Sequence, residues 1–314
     1  ELFASCPYAH FLRYGMSLSE RIEYEFRPND IGTVFHSVLE EFGNRLISEN
    51  IRWNDVPDEH IDTLINAITD KKASEYGSNI LVSSARNSGI IYRLKRMLRS
   101  TARMVRSQTA CGLFVPESFE MRFAHMQDII LADGDGRKIS MTGKIDRIDT
   151  CQSENDKLLF RIIDYKSGIK KLSLLDVYYG TELQLPVYID EAVNCERQLH
   201  SGKEIVPAGM FYYHIADPII DADGEMTEEA ERDAKMKQQK MSGILCGGRD
   251  TASKMDSALE TGASSLVIPA AYKVSGEPAT SSQTYSNEDF QTIVSYAKRK
   301  TGELGCGIGS GDIS

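Results

Sequence analysis

Asp164 and Lys166 close an apolar run, Phe160-Arg161-Ile162-Ile163-Asp164-Tyr165-Lys166, and Asp146 sits in an earlier one, Gly143-Lys144-Ile145-Asp146-Arg147-Ile148-Asp149. On a β-strand alternate residues face the same way, so Phe160, Ile162, Asp164 and Lys166 share one face. That face begins apolar and ends in a carboxylate and an ammonium, groups whose burial costs several kcal/mol unless they pair or bind an ion. The polar segment from Cys151 to Asp156 is the right length to fold the two runs into a hairpin, bringing two acids and a lysine to one point. Such a set suits metal-assisted hydrolysis of a phosphodiester. The carboxylates hold a hard cation such as Mg²⁺, and the lysine orients or deprotonates the attacking water. A hairpin carrying a structural Asp-Lys pair accounts for the same residues.

The elements around the hairpin read as follows. Upstream, Gly32 to Phe42 places Val34, Val38 and Phe42, with Phe35, Leu39 and Leu46, on one wide helical face. His36 lies beside it, where a lone histidine reads as a satisfied core or boundary residue. Asp58 to Tyr76 predicts a further helix, followed by a looser Ser/Asn-rich connection. From Tyr76 to Pro116 there is no Asp or Glu, while Arg86, Arg93, Lys95, Arg96, Arg99, Arg103 and Arg106 accumulate. Arg93, Arg96, Arg99, Arg103 and Arg106 recur at helical spacing and form one stripe, which is either a face balanced by acidic neighbours or a rail for DNA phosphates.

Pro116 to Ala124 alternates like a strand, and Asp133-Gly134-Asp135-Gly136 predicts a hairpin turn leading into the strand that carries Asp146. Leu172 to Cys195 reads as mostly helical with an interruption around Pro186. Ala208 to Ala216 is an apolar strand ending in Tyr212, Tyr213 and His214, the last read as structural. Met226 to Met241 is a charged helix, and Leu266 to Ile268 with Tyr272 to Val274 predicts a terminal hairpin. Asn287 caps a last amphipathic helix running to Leu304. Glu1 to Met16 reads as a first helix, with Cys6 as a small buried hydrophobe; its abrupt start suggests a boundary within a longer protein.

Composition limits the class. At 314 residues, 41% hydrophobic and 26% charged, the chain reads as a soluble globular protein able to bury a full core. No apolar run approaches the roughly 20 residues of a membrane span, and no signal peptide opens the sequence. Six cysteines without CxxC pairs point to a reducing cytoplasm. A net charge of −10 counts against nonspecific nucleic-acid binding by the whole surface but leaves room for a local basic groove. No phosphate-binding Gly-x-x-x-x-Gly-Lys-Ser/Thr loop occurs, so the chain carries no ATP-driven motor motif.

Taken in order, Gly-x-Ile-Asp-Arg-Ile-Asp, Ile-Asp-Tyr-Lys-Ser-Gly and Gln-x-x-x-Tyr resemble the RecB-like branch of the PD-(D/E)XK nucleases. Ile145 stands where the superfamily's eponymous proline would be, as is usual in this branch. The resemblance implies an α/β, restriction-endonuclease-like core: a mixed central sheet flanked by helices, with a helical N-terminal region. The chain then forms one nuclease domain, with residues 1–112 mostly helical, 113–220 the catalytic sheet, and 221–314 the C-terminal helices and short strands. It further implies that Asp146, Asp164, His36 and the Tyr165 backbone carbonyl are metal ligands and that Lys166 is the catalytic lysine. Gln184 and Tyr188, on one helix face, would position substrate and lysine. Arg96, Arg99 and Arg103 are the candidate contacts to the DNA strand. The cofactor would be Mg²⁺ or Mn²⁺.

The opening string Ser-Cys-Pro-Tyr-x-x-Phe-Leu-Arg-Tyr-Gly is similar to the segment that opens the nuclease domain of AddB-type subunits of bacterial helicase-nucleases. There, the cysteine matching Cys6 is the first of four ligands of a 4Fe-4S cluster whose other three follow the final helix. Those three are not found here, so the 314-residue chain is expected to hold no cluster and to be colourless. The resemblance implies Mg²⁺-dependent cleavage of single-stranded DNA beside an AddA-type partner in double-strand-break repair. A stand-alone Cas4-like exonuclease and a non-catalytic DNA-binding scaffold are the competing readings.

Overall fold

The computed structural model describes residues 1–19, 28–75, 85–123, 129–130, 138–139, 141–154, 156–218, 220 and 226–313. The elements are α1 (Leu2–Ser5), α2 (Pro7–His10), α3 (Pro28–Ser48), α4 (Asp58–Glu75), α5 (Ala85–Ala110), β1 (Val115–Phe123), β2 (Ile129–Ile130), β3 (Lys138–Ile139), β4 (Gly143–Gln152) and β5 (Lys157–Lys166). They continue as α6 (Leu174–Tyr179), α7 (Gln184–Leu199), β6 (Glu204–His214), α8 (Glu228–Gln238), β7 (Ser242–Cys246), α9 (Arg249–Met255), β8 (Thr284–Tyr285) and α10 (Asn287–Ser310). The predicted turn at Asp133 to Gly136, most of the connection after α4 and the side chain of Arg86 lie outside the described residues.

Six strands form one mixed sheet in the order β1-β4-β5-β6-β7-β8. The β4–β5 hairpin closes as its polar sequence predicts. Ser153 N donates to Lys157 O, and Asp156 takes a left-handed φ of 55°, a conformation its short polar side chain tolerates. β6 lies parallel to β5, with Asp164 opposite Tyr212 and Lys166 opposite His214, and α6 and α7 form the crossover between them.

Each face of the sheet carries its own core. On one, Val34, Phe35, Val38 and Phe42 of α3 pack with Ile65 and Ile68 of α4, Leu94 and Leu98 of α5, and Leu159 and Ile163 of β5. On the other, Phe160 and Ile162 meet Leu185, Val187 and Ile189 of α7 and Phe290 and Val294 of α10. The alternation along β5 therefore splits as the sequence requires. Among the described residues no helix is long and apolar enough to cross a membrane.

Several expected elements differ. Glu1 to Met16 is no single helix: Pro7 excludes Cys6 from helical geometry, Cys6 is extended, and α1 and α2 separate there, followed by a π-helical turn at Phe11–Gly15. Cys6 is exposed rather than buried, and its Sγ accepts from Ala9 N at the cap of α2. The break in the 172–195 region falls at Gly180 to Leu183, not at Pro186. This proline occupies the first turn of α7, where a missing N–H disrupts nothing.

The hairpin expected at 266–274 is replaced by single bridges, Ser264 with Ala271 and Tyr272 with Pro278, while β8 takes the sheet edge. Ser265 Oγ accepts from Val267 N and Ile268 N, and Asp256 Oδ2 accepts from Leu266 N, so side chains consume the donors a ladder would need. Ser286, not Asn287, caps α10, accepting from Asp289 N.

Candidate active site

α3, β1, β4, β5 and the start of α7 converge on a cleft of about 670 Å³ lined by His36, Asp146, Asp164, Lys166, Gln184 and Tyr188, among others. Asp164 and Lys166 end β5, two residues apart and on one side, and their Oδ2 and Nζ atoms are 2.7 Å apart. Gln184, the first residue of α7, bridges the pair: its Nε2 donates to Asp164 Oδ1 at 2.6 Å and its Oε1 accepts from Lys166 Nζ at 3.0 Å. The helix start that holds Gln184 is itself capped by Glu1, whose Oε1 accepts from Leu183 N and Gln184 N. Asp146 Oδ2 accepts from Tyr165 N at 2.8 Å, fixing the β4 acid to the β5 backbone.

His36 reaches over from α3. Its Nδ1 is 3.1 Å from Asp146 Oδ1 and 3.3 Å from Glu120 Oε1, and its ring packs edge-on against Tyr165. The ligand-type atoms of His36, Glu120 and Asp146 all lie within 4.8 Å of one another. Glu120 is absent from the sequence-based set. It is buried in β1 with a left-handed φ of 52°, unusual within a strand, and Lys144 pairs with its other oxygen. The residues on either side show the effect of that kink. Phe119 belongs to the core on one face and Phe123 to the other. An acid between Phe119 and Met121 was the available signal, but its meaning depended on β1 pairing with β4, which no local pattern specified.

At Gly143 the chain has no room for a side chain. A Cβ there would meet Phe123 Cζ at 2.3 Å and Tyr188 Oη at 2.9 Å. Tyr188 therefore rests on the first residue of β4 and stacks edge-on with Phe123.

The electrostatics reflect a crowd of acids. Burial, and then the Asp146 charge, push the Asp164 carboxyl up to about 6 against the pull of Lys166. Burial alone would lower His36, yet its hydrogen bonds to Asp146 and Glu120 and their charges push it up to about 10. Glu120 is held below the usual carboxylate range: burial opposes this, but His36 and Lys144 override it. Burial raises the Tyr188 phenol. The His36 proton thus sits between two carboxylates, where a cation would serve the same electrostatic end.

This donor set, carboxylate oxygens with one imidazole, fits a hard divalent cation. His36, Glu120 and Asp146 form the tight group. Asp164 adjoins it through its interaction with Asp146 while remaining tied to Lys166 and Gln184.

The arginine stripe lies elsewhere. Arg96 pairs with Asp217 at 2.5 Å, Arg103 with Asp58 and Asp62, and Arg106 with Asp58, while Arg99 donates to Asn66. None of these arginines lines the cleft, whose own cations besides Lys166 are Arg122 and Lys144.

Two carboxylates and a lysine on adjacent strands of a mixed sheet, with a helix-borne histidine over them, define a nuclease of the PD-(D/E)XK type. Residues 1–300 match the profile of the PD-(D/E)XK nuclease superfamily, and the chain belongs to that superfamily. It is 35% identical over 308 residues to the B-type subunit of the ATP-dependent helicase/deoxyribonuclease of Alkaliphilus metalliredigens, covering 97% of this chain and 26% of the relative. The corresponding proteins of Clostridioides difficile and Caldanaerobacter subterraneus are 33% and 34% identical, each covering 100% of this chain and 27% of the relative. The chain thus spans about a quarter of the length of these curated relatives.

Proposed function

We propose that this chain hydrolyses phosphodiester bonds of single-stranded DNA with Mg²⁺ or Mn²⁺, as the nuclease part of a cytoplasmic helicase-nuclease that works with an AddA-type partner in double-strand-break repair. The observation that carries the reading is the meeting of Asp146, Asp164 and Lys166 in one cleft with His36 and Glu120 beside Asp146. The names of the curated relatives supply the helicase-nuclease context.

In this reading His36, Glu120, Asp146 and Asp164 hold the cation, with the Tyr165 backbone carbonyl at the same point of β5. A bound divalent cation polarises the scissile phosphate and lowers the pKa of water. Lys166, fixed by Gln184, orients the attacking water and faces the negative charge that develops on the phosphate. Gln184 also keeps Asp164 and Lys166 in register, so its loss would misplace both. Tyr188, with Arg122 and Lys144 at the wall, positions the strand through phosphate contacts. Cys6 stands as one ligand of the iron-sulfur cluster that a longer chain of this type would carry.

The test is digestion of end-labelled single-stranded DNA by the purified chain with and without Mg²⁺. Cleavage should require the cation and disappear in Asp164→Ala. Cation-independent cleavage, or full cleavage by that variant, would remove Asp164 from the site.

A further inference from the structure

A second group of ligating side chains lies at the other end of α7, outside the cleft. Glu117 of β1, Glu196 in the last turn of α7 and His200 just beyond it bring two carboxylate oxygens and Nε2 within 4.8 Å of one another. His200 Nε2 is 3.0 Å from Glu117 Oε1 and 3.4 Å from Glu196 Oε2. Glu196 is completely buried, and neither of its oxygens has a hydrogen-bond partner among the described residues. A buried carboxylate with no hydrogen bond, and only the His200 ring within ion-pair range of one oxygen, recovers little of its desolvation cost. Its position makes matters worse, because the C-terminal end of a helix is the negative end of its dipole. Burial and the Glu117 charge push Glu196 up to about 7.

The strand side is arranged to meet it. The register of β1 against β4 slips between Pro116 and Ser118, which makes Glu117 the bulged residue. A bulge turns a side chain out of the strand's alternation. Thr150 Oγ1 donates to Glu117 Oε2 at 2.5 Å, leaving Oε1 toward His200, the kind of outer hydrogen bond that fixes a ligating carboxylate. Thr150 is four residues beyond Asp146 on β4, about 13 Å along the strand, so this group and the cleft are separate places.

We propose that Glu117, Glu196 and His200 form a second, structural cation site that takes a divalent transition metal of the zinc type and pins the end of α7 to β1. In the cleft, Asp164 and the Tyr165 carbonyl can add oxygens to one imidazole and two carboxylates, whereas among the described residues no fourth His, Cys, Asp or Glu joins this group, and so small a nitrogen-and-oxygen set suits the low coordination number of zinc better than the six-oxygen shell of magnesium. The site fixes the far end of the helix whose first residue, Gln184, holds Asp164 and Lys166.

The alternative is that His200 simply pairs with the two carboxylates and no metal binds. Equilibrium dialysis of Zn²⁺, and the visible spectrum of added Co²⁺, should be measured on the chelator-stripped chain carrying His36→Ala, Asp146→Asn and Asp164→Asn, which silence the cleft by removing three of its four side-chain donors. The expected result is about one tightly held equivalent of Zn²⁺ and a Co²⁺ spectrum of low coordination number. His200→Ala and Glu196→Gln should each weaken binding at least tenfold, and Glu117→Gln should do so without touching the buried position. A Zn²⁺-dependent rise in melting temperature should be lost in the same variants. No saturable Zn²⁺ in the silenced chain, or binding indifferent to all three substitutions, overturns the proposal and leaves His200 alone as the partner of the two carboxylates. Because the readout is binding, it stands or falls independently of DNA cleavage.

Discussion

The β4–β5 hairpin carries two clusters of buried charge that differ in how they are balanced. Arg147, Asp149 and Arg161 are fully buried and are held mainly by one another, although Arg161 Nη1 has no hydrogen-bond partner among the described residues. Arg147 donates to both oxygens of Asp149 at 2.5 and 2.6 Å, Arg161 donates twice more to Asp149 Oδ2, and the Arg161 guanidinium stacks over Phe114. Asp146 and Asp164, by contrast, crowd together with His36 and Lys166 in the lining of a cleft, with Glu120 buried against His36. The first cluster is closed and answers to folding; the second keeps an appetite for an outside cation. Tyr165 joins them, since its hydroxyl accepts from Arg147 while its backbone N donates to Asp146. The closed cluster thereby helps set the position of the open one.

Breaking the open cluster should cost activity and spare the fold. Asp164→Ala is expected to lower cleavage on the order of 10³-fold. Its stability in the absence of Mg²⁺, read from urea denaturation, should stay within about 1 kcal/mol of the wild type, because removing one of several crowded acids relieves repulsion. Breaking the closed cluster should do the reverse. Asp149→Ala leaves two arginines buried without their counter-ion and should cost about 3–5 kcal/mol of stability by the same measurement. A small loss there would mean that water reaches the guanidinium groups.

Titration separates the clusters further. The two guanidinium groups hold Asp149 below the usual range against its burial. Its contribution to stability is therefore complete above about pH 4, where the unfolded carboxyl is already ionised, and is lost as pH falls through the lower folded value. Acid-unfolding curves of the wild type and Asp149→Asn should converge below that point. His36 behaves oppositely. Raised to about 10, it contributes fully below about pH 6.5 and loses that contribution as pH rises through its folded value. A divalent cation entering beside it should release close to one proton at about pH 7.5, measurable by calorimetry in buffers of different ionisation enthalpy. Proton-neutral binding would show that His36 is no ligand.

The smallest effect is expected outside the hairpin. Arg96→Gln, Arg99→Gln and Arg103→Gln together should cost at most about 1 kcal/mol per arginine, because their partners Asp217, Asn66, Asp58 and Asp62 are partly or well exposed. The salt dependence of single-strand binding should hardly change. A drop in its slope of about 0.7 per arginine would instead place the stripe on the DNA path.

Legibility followed locality. Phe160, Ile162, Asp164 and Lys166 could be placed on one face because a strand alternates, and the hairpin could be closed because Cys151 to Asp156 is polar and short. Helical period located His36, though only the resemblance gave it a role. Glu120 was missed because its chemistry arises from a cross-strand neighbour and a backbone kink. The partners of Arg96 and Arg103 come from Asp217 and from Asp58 and Asp62, too far along the chain for any window to join them. Likewise, Arg147, Asp149 and Arg161 stood in plain view within the motif, yet nothing in their spacing revealed that they bind one another and not the substrate.

The parallel pairing of β5 with β6 also has a consequence for the order of assembly. The β4–β5 turn closes a loop of a few residues, whereas joining β5 to β6 must first close residues 167–203, a difference of roughly 2 kcal/mol in loop entropy. A growing chain therefore brings Asp146 and Asp164 face to face before α7 has arrived with Gln184. For that interval the acids depend on water and counter-ions. Pulse-labelled amide exchange during refolding should find β4 and β5 protected ahead of β6, with divalent ions hastening the hairpin more than the crossover.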